Sequence, residues 1–137
     1  MSTEENKTIV RRYQEIYNRN DLEALSEVVS EDLLTPQIMP GLPTGMEGAK
    51  AAHRLMLAGF PDFQTRIDDL LAEGDKVAAR ITMSGTNTGS FMGIPPTGKQ
   101  VSFTGMYIAR IVDGKIVEHW GEEDSIGLLQ QLGAMPT

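Results

Sequence analysis

Cysteine is absent from this chain of 137 residues, and histidine occurs only twice, as His53 and His119. Without cysteine there can be no disulfide, thiolate nucleophile, iron–sulfur cluster or cysteine-ligated zinc. The two histidines lie far apart and form no pair at the helical spacing used by metal sites, and only Glu122 and Glu123 could assist them. The sequence therefore predicts no metal site.

Long apolar runs and clusters of positive charge are also missing. A membrane-spanning helix takes roughly 20 apolar residues, and the polar start of the chain has no signal-peptide core. We therefore expect a cytoplasmic protein. The 12 basic residues are scattered and are outnumbered by 19 acidic ones, which gives a net charge of -7. Such a chain repels phosphate and anionic lipid, so neither nucleic acid nor a membrane is an expected partner.

The composition, 40% apolar and 23% charged residues, is typical of one compact domain, here residues 1–137. Helical spacing of apolar residues predicts a first helix over residues 2–18, with Ser2 and Glu5 as its capping box. Cap signals that begin at Asn20 and Thr44 predict a short second helix ending near residue 30 and a third helix ending at residues 59–61.

After the third helix the pattern alternates, as in strands. Gly74-Asp75 joins strands over residues 63–71 and 77–86, and Asp113-Gly114 joins strands over residues 100–112 and 115–124. A brief strand is expected at residues 33–34, and residues 36–45 and 87–98 are rich in Gly and Pro and predict loops. Helices followed by hairpins favour an α+β fold, with a curled mixed or antiparallel sheet wrapped around the N-terminal helices.

The two-residue turn at Asp113-Gly114 sets the predicted register of the last hairpin. It places Tyr107 opposite Trp120 and Phe103 opposite Asp124. One face then carries Phe103, Gly105, Tyr107, Ala109, Trp120 and Asp124, and the other carries Met106, Ile108, Arg110, Val117 and His119. The second face suits a core or a dimer contact, and a bulge would exchange part of this assignment.

The first face predicts a pocket for a flat, hydrophobic molecule. Asp124 would be the general base, removing a proton from carbon beside a carbonyl, and Tyr107 would donate to the developing enolate oxygen. A structural interpretation remains open: Trp and Tyr commonly fill a core, and an Asp before a helix commonly caps it.

Short motifs along most of the chain resemble the SnoaL-like polyketide cyclase (ester cyclase) family of the nuclear transport factor 2-like superfamily. The motifs that carry this resemblance are Phe60-Pro61-Asp62-Phe63, Gly74-Asp75-Lys76-Val77, Gly85-Thr86-Asn87-Thr88-Gly89, Gly93-Ile94-Pro95-Pro96-Thr97-Gly98-Lys99, Trp120 with Asp124, and Leu128-Leu129-Gln130-Gln131-Leu132-Gly133. The resemblance implies a cone-shaped fold, usually dimeric, with a deep pocket and no cofactor. It also implies aldol ring closure in a polyketide methyl ester, with Asp124 matching the family's acid/base.

The expected partner is a hydrophobic small-molecule substrate, contacted by Trp120, Phe103, Asn87 and Arg110. Asn87 and Thr35 stand where many relatives carry His, so a non-catalytic binding protein of the same fold is a second hypothesis. A third is an epoxide hydrolase similar to limonene epoxide hydrolase, in which Arg110 would act with two carboxylates, Asp124 and Asp68 or Asp69.

Overall fold

This computed structural model describes residues 1–36 and 41–136. They form one five-stranded mixed sheet, three α-helices, one 3-10 helix and the loops between them. The elements in chain order are α1 (Thr3–Asn18), the 3-10 helix (Leu22–Glu27), β1 (Val29–Leu34), α2 (Gly45–Gly59), β2 (Gln64–Glu73), β3 (Lys76–Thr86), β4 (Gln100–Val112), β5 (Lys115–Glu123) and α3 (Ser125–Gln131). The strand order is β1-β5-β4-β3-β2. Helices and sheet bury one core between them, which confirms the predicted α+β class.

The first helix begins as its sequence predicts. Ser2 accepts a hydrogen bond from the backbone N–H of Glu5, and the Glu5 carboxylate accepts one from the N–H of Ser2, each at 3.1 Å. This reciprocal capping box satisfies two N–H groups that a helix start leaves free. The buried side of α1 carries Val10, Tyr13 and Ile16. No helix in the described residues has both the length and the apolar character needed to cross a membrane.

The second predicted helix is only a 3-10 helix, and its predicted extent to residue 30 is wrong. Asn20 does not cap it; its backbone is left-handed, with φ 57°, and its N–H donates to the carbonyl of Tyr17. The chain enters β1 at Val29, which pairs in parallel with Ile116 of β5. Burial of Val29 in this pairing outweighs the weak local preference for helix.

The third helix ends where predicted but begins without the predicted capping box. Thr44 is its N-cap residue and makes no side-chain cap hydrogen bond. The carboxylate of Glu47 lies 3.5 Å from the ammonium of Lys50 instead. The helix packs against β1. Part of the loop predicted over residues 36–45, residues 37–40, lies outside the described residues.

Both predicted hairpins are confirmed. Gly74 turns between β2 and β3 with φ 59°, and Asp113 and Gly114 turn between β4 and β5 with φ 51° and 78°. Positive φ at both Asp113 and Gly114 matches the right-handed twist of β4 and β5. The parallel pairing of β1 with β5 makes the sheet mixed, and the sequence did not reveal it.

A bulge in the last hairpin overturns the predicted register. Ile111 pairs with Ile116 as expected, but the register then shifts, and Arg110 pairs with Glu118. Val117 is the extra residue, and every later side chain of β5 changes face. Tyr107 therefore lies opposite Gly121, Ile108 opposite Trp120, and Gly105 opposite Glu123. The predicted pairs Tyr107 with Trp120 and Phe103 with Asp124 are wrong.

Candidate active site

A cavity of about 120 Å³ lies between α1, the start of α2, the end of β1 and β5. An engineered cavity of about 150 Å³ can hold one benzene ring, so this volume suits roughly one ring of a ligand. The described residues that line it are Tyr13, Tyr17, Leu33, Thr35, Pro36, Leu42, Pro43, Thr44, Gly48, Ala49, Ala52 and His119. None of these described lining residues is Asp, Glu, Lys or Arg.

His119 is the imidazole that the cavity wall exposes to a ligand. The bulge turns its side chain to the inner face of the sheet, where its ring centroid lies 4.5 Å from that of Tyr107 and 5.9 Å from that of Tyr13. Burial lowers the pKa of His119 to about 4. The imidazole is therefore neutral at pH 7 and has a lone pair available to accept a proton.

Tyr13 and Tyr17 lie one turn apart on α1 and line the same cavity. Their rings meet edge to face, with centroids 4.9 Å apart. Burial raises the pKa of Tyr17 to about 12 and raises that of Tyr13 well above its ordinary value of 10. Both phenols therefore keep their protons at neutral pH. A hydrogen bond between the two hydroxyls uses one of these protons, so the pair has one proton left to donate to a ligand oxygen.

Tyr107 lies on the inner face, but its hydroxyl proton has a protein partner. The hydroxyl donates to Oε1 of Gln14 at 2.8 Å, and burial raises its pKa. The residue is not among the described lining residues. This geometry gives no support to the predicted donation from Tyr107 to a substrate enolate. Its ring instead packs against His119 and supports the imidazole.

Asp124 lies just beyond the end of β5, outside the described lining of the cavity. Its Oδ1 accepts a hydrogen bond from the backbone N–H of Gly127 at 2.9 Å, which caps α3, and its side chain is exposed. This is the structural alternative that the sequence left open. The predicted catalytic placement of Asp124 beside Trp120 in a pocket is not found.

Trp120 and Arg110 lie on the outer face of the sheet, so their predicted contacts with substrate in the cavity are not found. The indole N–H donates to Oε1 of Glu118 at 3.2 Å, and 47% of Trp120 is exposed. The guanidinium donates to Asp75 at 3.0 Å and to Glu118 at 2.9 Å. Both side chains therefore belong to a surface hydrogen-bond network.

The carboxylates proposed for epoxide hydrolysis also lie elsewhere. Asp68 bonds to Arg66 and Thr82, and Asp69 bonds to Arg80. Neither is among the described lining residues. The geometry therefore does not assemble an Asp-Arg-Asp site in the cavity.

Asn87 is 0% exposed and is bonded to protein groups, so this geometry gives no support to its predicted contact with substrate. Its Nδ2 donates to the carbonyls of Gly59 and Gly89 at 3.2 and 2.9 Å. Its Oδ1 accepts from the N–H and the hydroxyl of Thr97 at 2.9 and 2.8 Å. The side chain ties the following loop to the end of α2. Phe103, also predicted to bind substrate, is buried on the inner face and is not among the described lining residues.

Tyr13 and Tyr17 were not predicted as site residues, and the predicted register placed His119 on the wrong face. A signal for the tyrosines was available, because two phenols at positions i and i+4 share one face of a helix. Buried phenols need hydrogen-bond partners for their hydroxyls, so two of them on one side of a helix indicate a polar wall.

Comparison with known proteins is consistent with this architecture. Residues 7–132 match the family described as SnoaL-like polyketide cyclase. Over 129 residues the chain is 31% identical to aklanonic acid methyl ester cyclase of Streptomyces peucetius, covering 91% of this chain and 88% of that protein. It is 30% identical over 120 residues to nogalonic acid methyl ester cyclase of Streptomyces nogalater, covering 85% and 89%.

A solved structure shares this fold. TsrD from Streptomyces laurentii superposes with a TM-score of 0.88 at 33% identity, covering 98% of this chain and 99% of that one. The family match likewise extends over most of the chain, from residue 7 to residue 132. The chain therefore belongs to the SnoaL-like polyketide cyclase family, and it is an enzyme of the cyclase type.

Proposed function

We propose that this enzyme closes a ring in a neutral polyketide ester by an intramolecular aldol reaction, with His119 as the acid/base group. The observation that carries the proposal is the cavity wall, where one neutral imidazole and two protonated phenols face a space without a charged side chain among its described lining residues. Asp124, the residue predicted from the sequence, caps α3 and does not line this space.

The mechanism needs only these side chains. The imidazole of His119 takes a proton from a carbon beside a carbonyl, and Tyr13 or Tyr17 donates a hydrogen bond to the enolate oxygen. The enolate carbon then bonds to a second carbonyl carbon of the same molecule. The imidazolium returns its proton to the new alkoxide, so the product is an isomer of the substrate. The negative charge of the enolate stabilises the neighbouring imidazolium. This attraction offsets the cost of desolvation that keeps His119 neutral in the free enzyme.

The cavity also indicates the charge and the size of the part of the substrate that enters it. A carboxylate would be buried there with no cation among the described lining residues, which is costly, whereas an ester or a ketone needs only a hydrogen-bond donor. A volume of about 120 Å³ suits the ring that is being closed, with the rest of the substrate outside. The two named relatives act on methyl esters, of aklanonic and nogalonic acid.

The test uses aklanonic acid methyl ester and its free acid as substrates, with product followed by chromatography and mass spectrometry. We expect a cyclised isomer from the ester and not from the acid. His119→Gln should lower kcat by 100-fold or more, a magnitude typical of losing a general base. Asp124→Asn is the matched control, because Asn also caps a helix, and it should retain activity.

Two results would contradict the proposal. Full activity of His119→Gln with a large loss in Asp124→Asn would return the acid/base role to Asp124. Equal turnover of ester and acid would contradict the claim that this cavity selects an uncharged substrate group over a carboxylate.

We further propose that the enzyme is a homodimer formed through the outer face of its sheet. One cross-strand row on that face is apolar over four strands: Leu71 pairs with Ala78, Ala78 with Ile108, and Ile108 with Trp120. Exposed Met106 adjoins this row on β4.

A neighbouring row of charged residues borders the apolar row, with two cations between two carboxylates: Glu73, Lys76, Arg110 and Glu118. An apolar centre with a charged rim is the usual anatomy of a protein interface, and Trp is a frequent anchor. Ile108→Lys should convert the dimer to a folded monomer in analytical ultracentrifugation, whereas Ser84→Lys, at an exposed position outside the row, should not. A wild-type monomer at micromolar concentration would refute the proposal.

A further inference from the structure

We infer that His53 and Asn20 are positioning residues, which hold the ring of Tyr17 so that its hydroxyl points into the cavity. The inference rests on the proposed function, because it assigns Tyr17 a hydrogen bond to the reacting carbonyl. Neither His53 nor Asn20 is among the described residues that line the cavity. Any effect of these two side chains on the reaction must therefore pass through a residue that does line it.

A hydrogen bond connects the two residues across the fold. Nε2 of His53, on α2, lies 2.9 Å from Oδ1 of Asn20, which follows α1. A carbonyl oxygen can only accept, so Nε2 carries the proton and the tautomer of the imidazole is fixed. Burial lowers the pKa of His53, and the nearby charge of Arg54 lowers it further, so the ring is neutral at pH 7.

Asn20 is itself anchored to the turn of α1 that carries Tyr17. Its backbone N–H donates to the carbonyl of Tyr17 at 3.0 Å, and its backbone is left-handed, with φ 57°. Asn is one of the few residues that adopt this conformation readily. Asn20 thus joins the backbone at Tyr17 to the imidazole that packs on the Tyr17 ring.

The imidazole contacts two aromatic rings. Its centroid lies 4.7 Å from that of Tyr17 and 6.3 Å from that of Phe63. The ring of Tyr17 therefore has two ring neighbours, His53 and Tyr13, whose centroid lies 4.9 Å away. Releasing His53 from Asn20 would let the Tyr17 ring tilt. Because the hydroxyl is at the far end of the ring, a small tilt displaces the donor from its position against a carbonyl.

The first experiment needs no substrate. Tyr13, Tyr17 and Tyr107 are the three tyrosines of the chain, so labelling with 3-fluorotyrosine gives three ¹⁹F resonances that Tyr→Phe variants assign. His53→Phe keeps an aromatic ring but loses the donor, and Asn20→Gly loses the acceptor while permitting the positive φ. Both variants should shift or broaden the Tyr17 resonance and leave that of Tyr107, bonded to Gln14, in place. An unmoved Tyr17 resonance in both variants would overturn the inference.

The second experiment measures turnover of aklanonic acid methyl ester. His53→Phe should lower kcat about 5- to 10-fold, the worth of roughly one hydrogen bond, with KM changed less than about twofold. Asn20→Gly should lower kcat by the same factor. Asn20→Asp, which keeps an acceptor oxygen, should have a kcat close to that of the wild type. In a Tyr17→Phe background the His53 substitution should have no further effect, because the hydroxyl it positions is already missing.

The two experiments separate the possible failures. A wild-type enzyme that leaves the ester unchanged would refute the proposed function, and the ¹⁹F spectra would still decide whether His53 positions Tyr17. If His53→Phe lowers kcat by the same factor in the Tyr17→Phe background as in the wild type, His53 has a purely structural role and the inference is contradicted.

Discussion

Burial of His119 makes the stability of the fold depend on pH in a defined window. Its pKa is lowered from 6.5 to about 4 in the folded protein. Well above pH 6.5 the residue is neutral in both folded and unfolded chains and contributes no pH dependence. As pH falls below 6.5 the unfolded chain binds a proton that the folded chain excludes, so stability is lost. At pH 4.5 the loss amounts to about 2.5 kcal/mol, and it levels off at about 3.4 kcal/mol well below pH 4.

Urea unfolding at pH 7.0 and pH 4.5 of the wild type and of His119→Gln isolates this contribution, because carboxylates and His53 titrate in both proteins. The fall in unfolding free energy between the two pH values should be smaller in the variant by about 2.5 kcal/mol. With two histidines in the chain, the NMR titration of each ring proton can be assigned by a single substitution. A difference below about 1 kcal/mol, or a His119 titration midpoint near 6.5, would refute the claim that the imidazole is desolvated.

Three further substitutions test separate parts of the structure. Asn87→Ala removes the four hydrogen bonds of a fully buried amide, so it should lower the unfolding free energy by about 3 kcal/mol in urea; a loss below about 1 kcal/mol would contradict the importance of this network. Gly114→Ala has no neighbour within 4 Å to crowd it, so its cost of about 1 to 2 kcal/mol should come from φ 78° alone, and an unchanged melting curve would rule out that turn. Asp124→Ala should lose about 1 kcal/mol with the helix cap while kcat is kept, and the reverse pattern would indicate a catalytic carboxylate.

Local signals predicted the elements well where the elements depend on local chemistry. The capping box at Ser2 and Glu5, the end of α2 at Gly59 and the turn at Asp113-Gly114 each follow from side chains or φ angles within a few residues. The parallel pairing of β1 with β5 depends on contacts between residues far apart in the chain, such as Val29 with Ile116. No local pattern encodes it, so the short strand was predicted without its partner.

The candidate site was harder to predict from the sequence, because its lining comes from four elements that are distant in the chain. Tyr17 enters from α1, His119 from β5, and the remaining wall from α2 and the end of β1. Asp124 matches a catalytic aspartate in residue type and in position. In the folded chain, however, its carboxylate accepts a hydrogen bond from the N–H of Gly127 and caps α3. Local capping and catalysis favour the same residue type here, and only the tertiary structure separates them.

The bulge at Val117 decides which side of β5 meets the cavity, and the sequence did contain a reason to expect it. In the unshifted register Glu118 shares the inner face with Ile116, which is 0% exposed, and that arrangement buries a carboxylate opposite Ala109 with no cation beside it. One extra residue keeps Ile116 in the core and moves Glu118 to the outer face, where Arg110 bonds it at 2.9 Å. The extra residue also moves the side chain of His119 to the inner face of the sheet. The cost of burying one glutamate therefore selects the register that places an imidazole in the cavity.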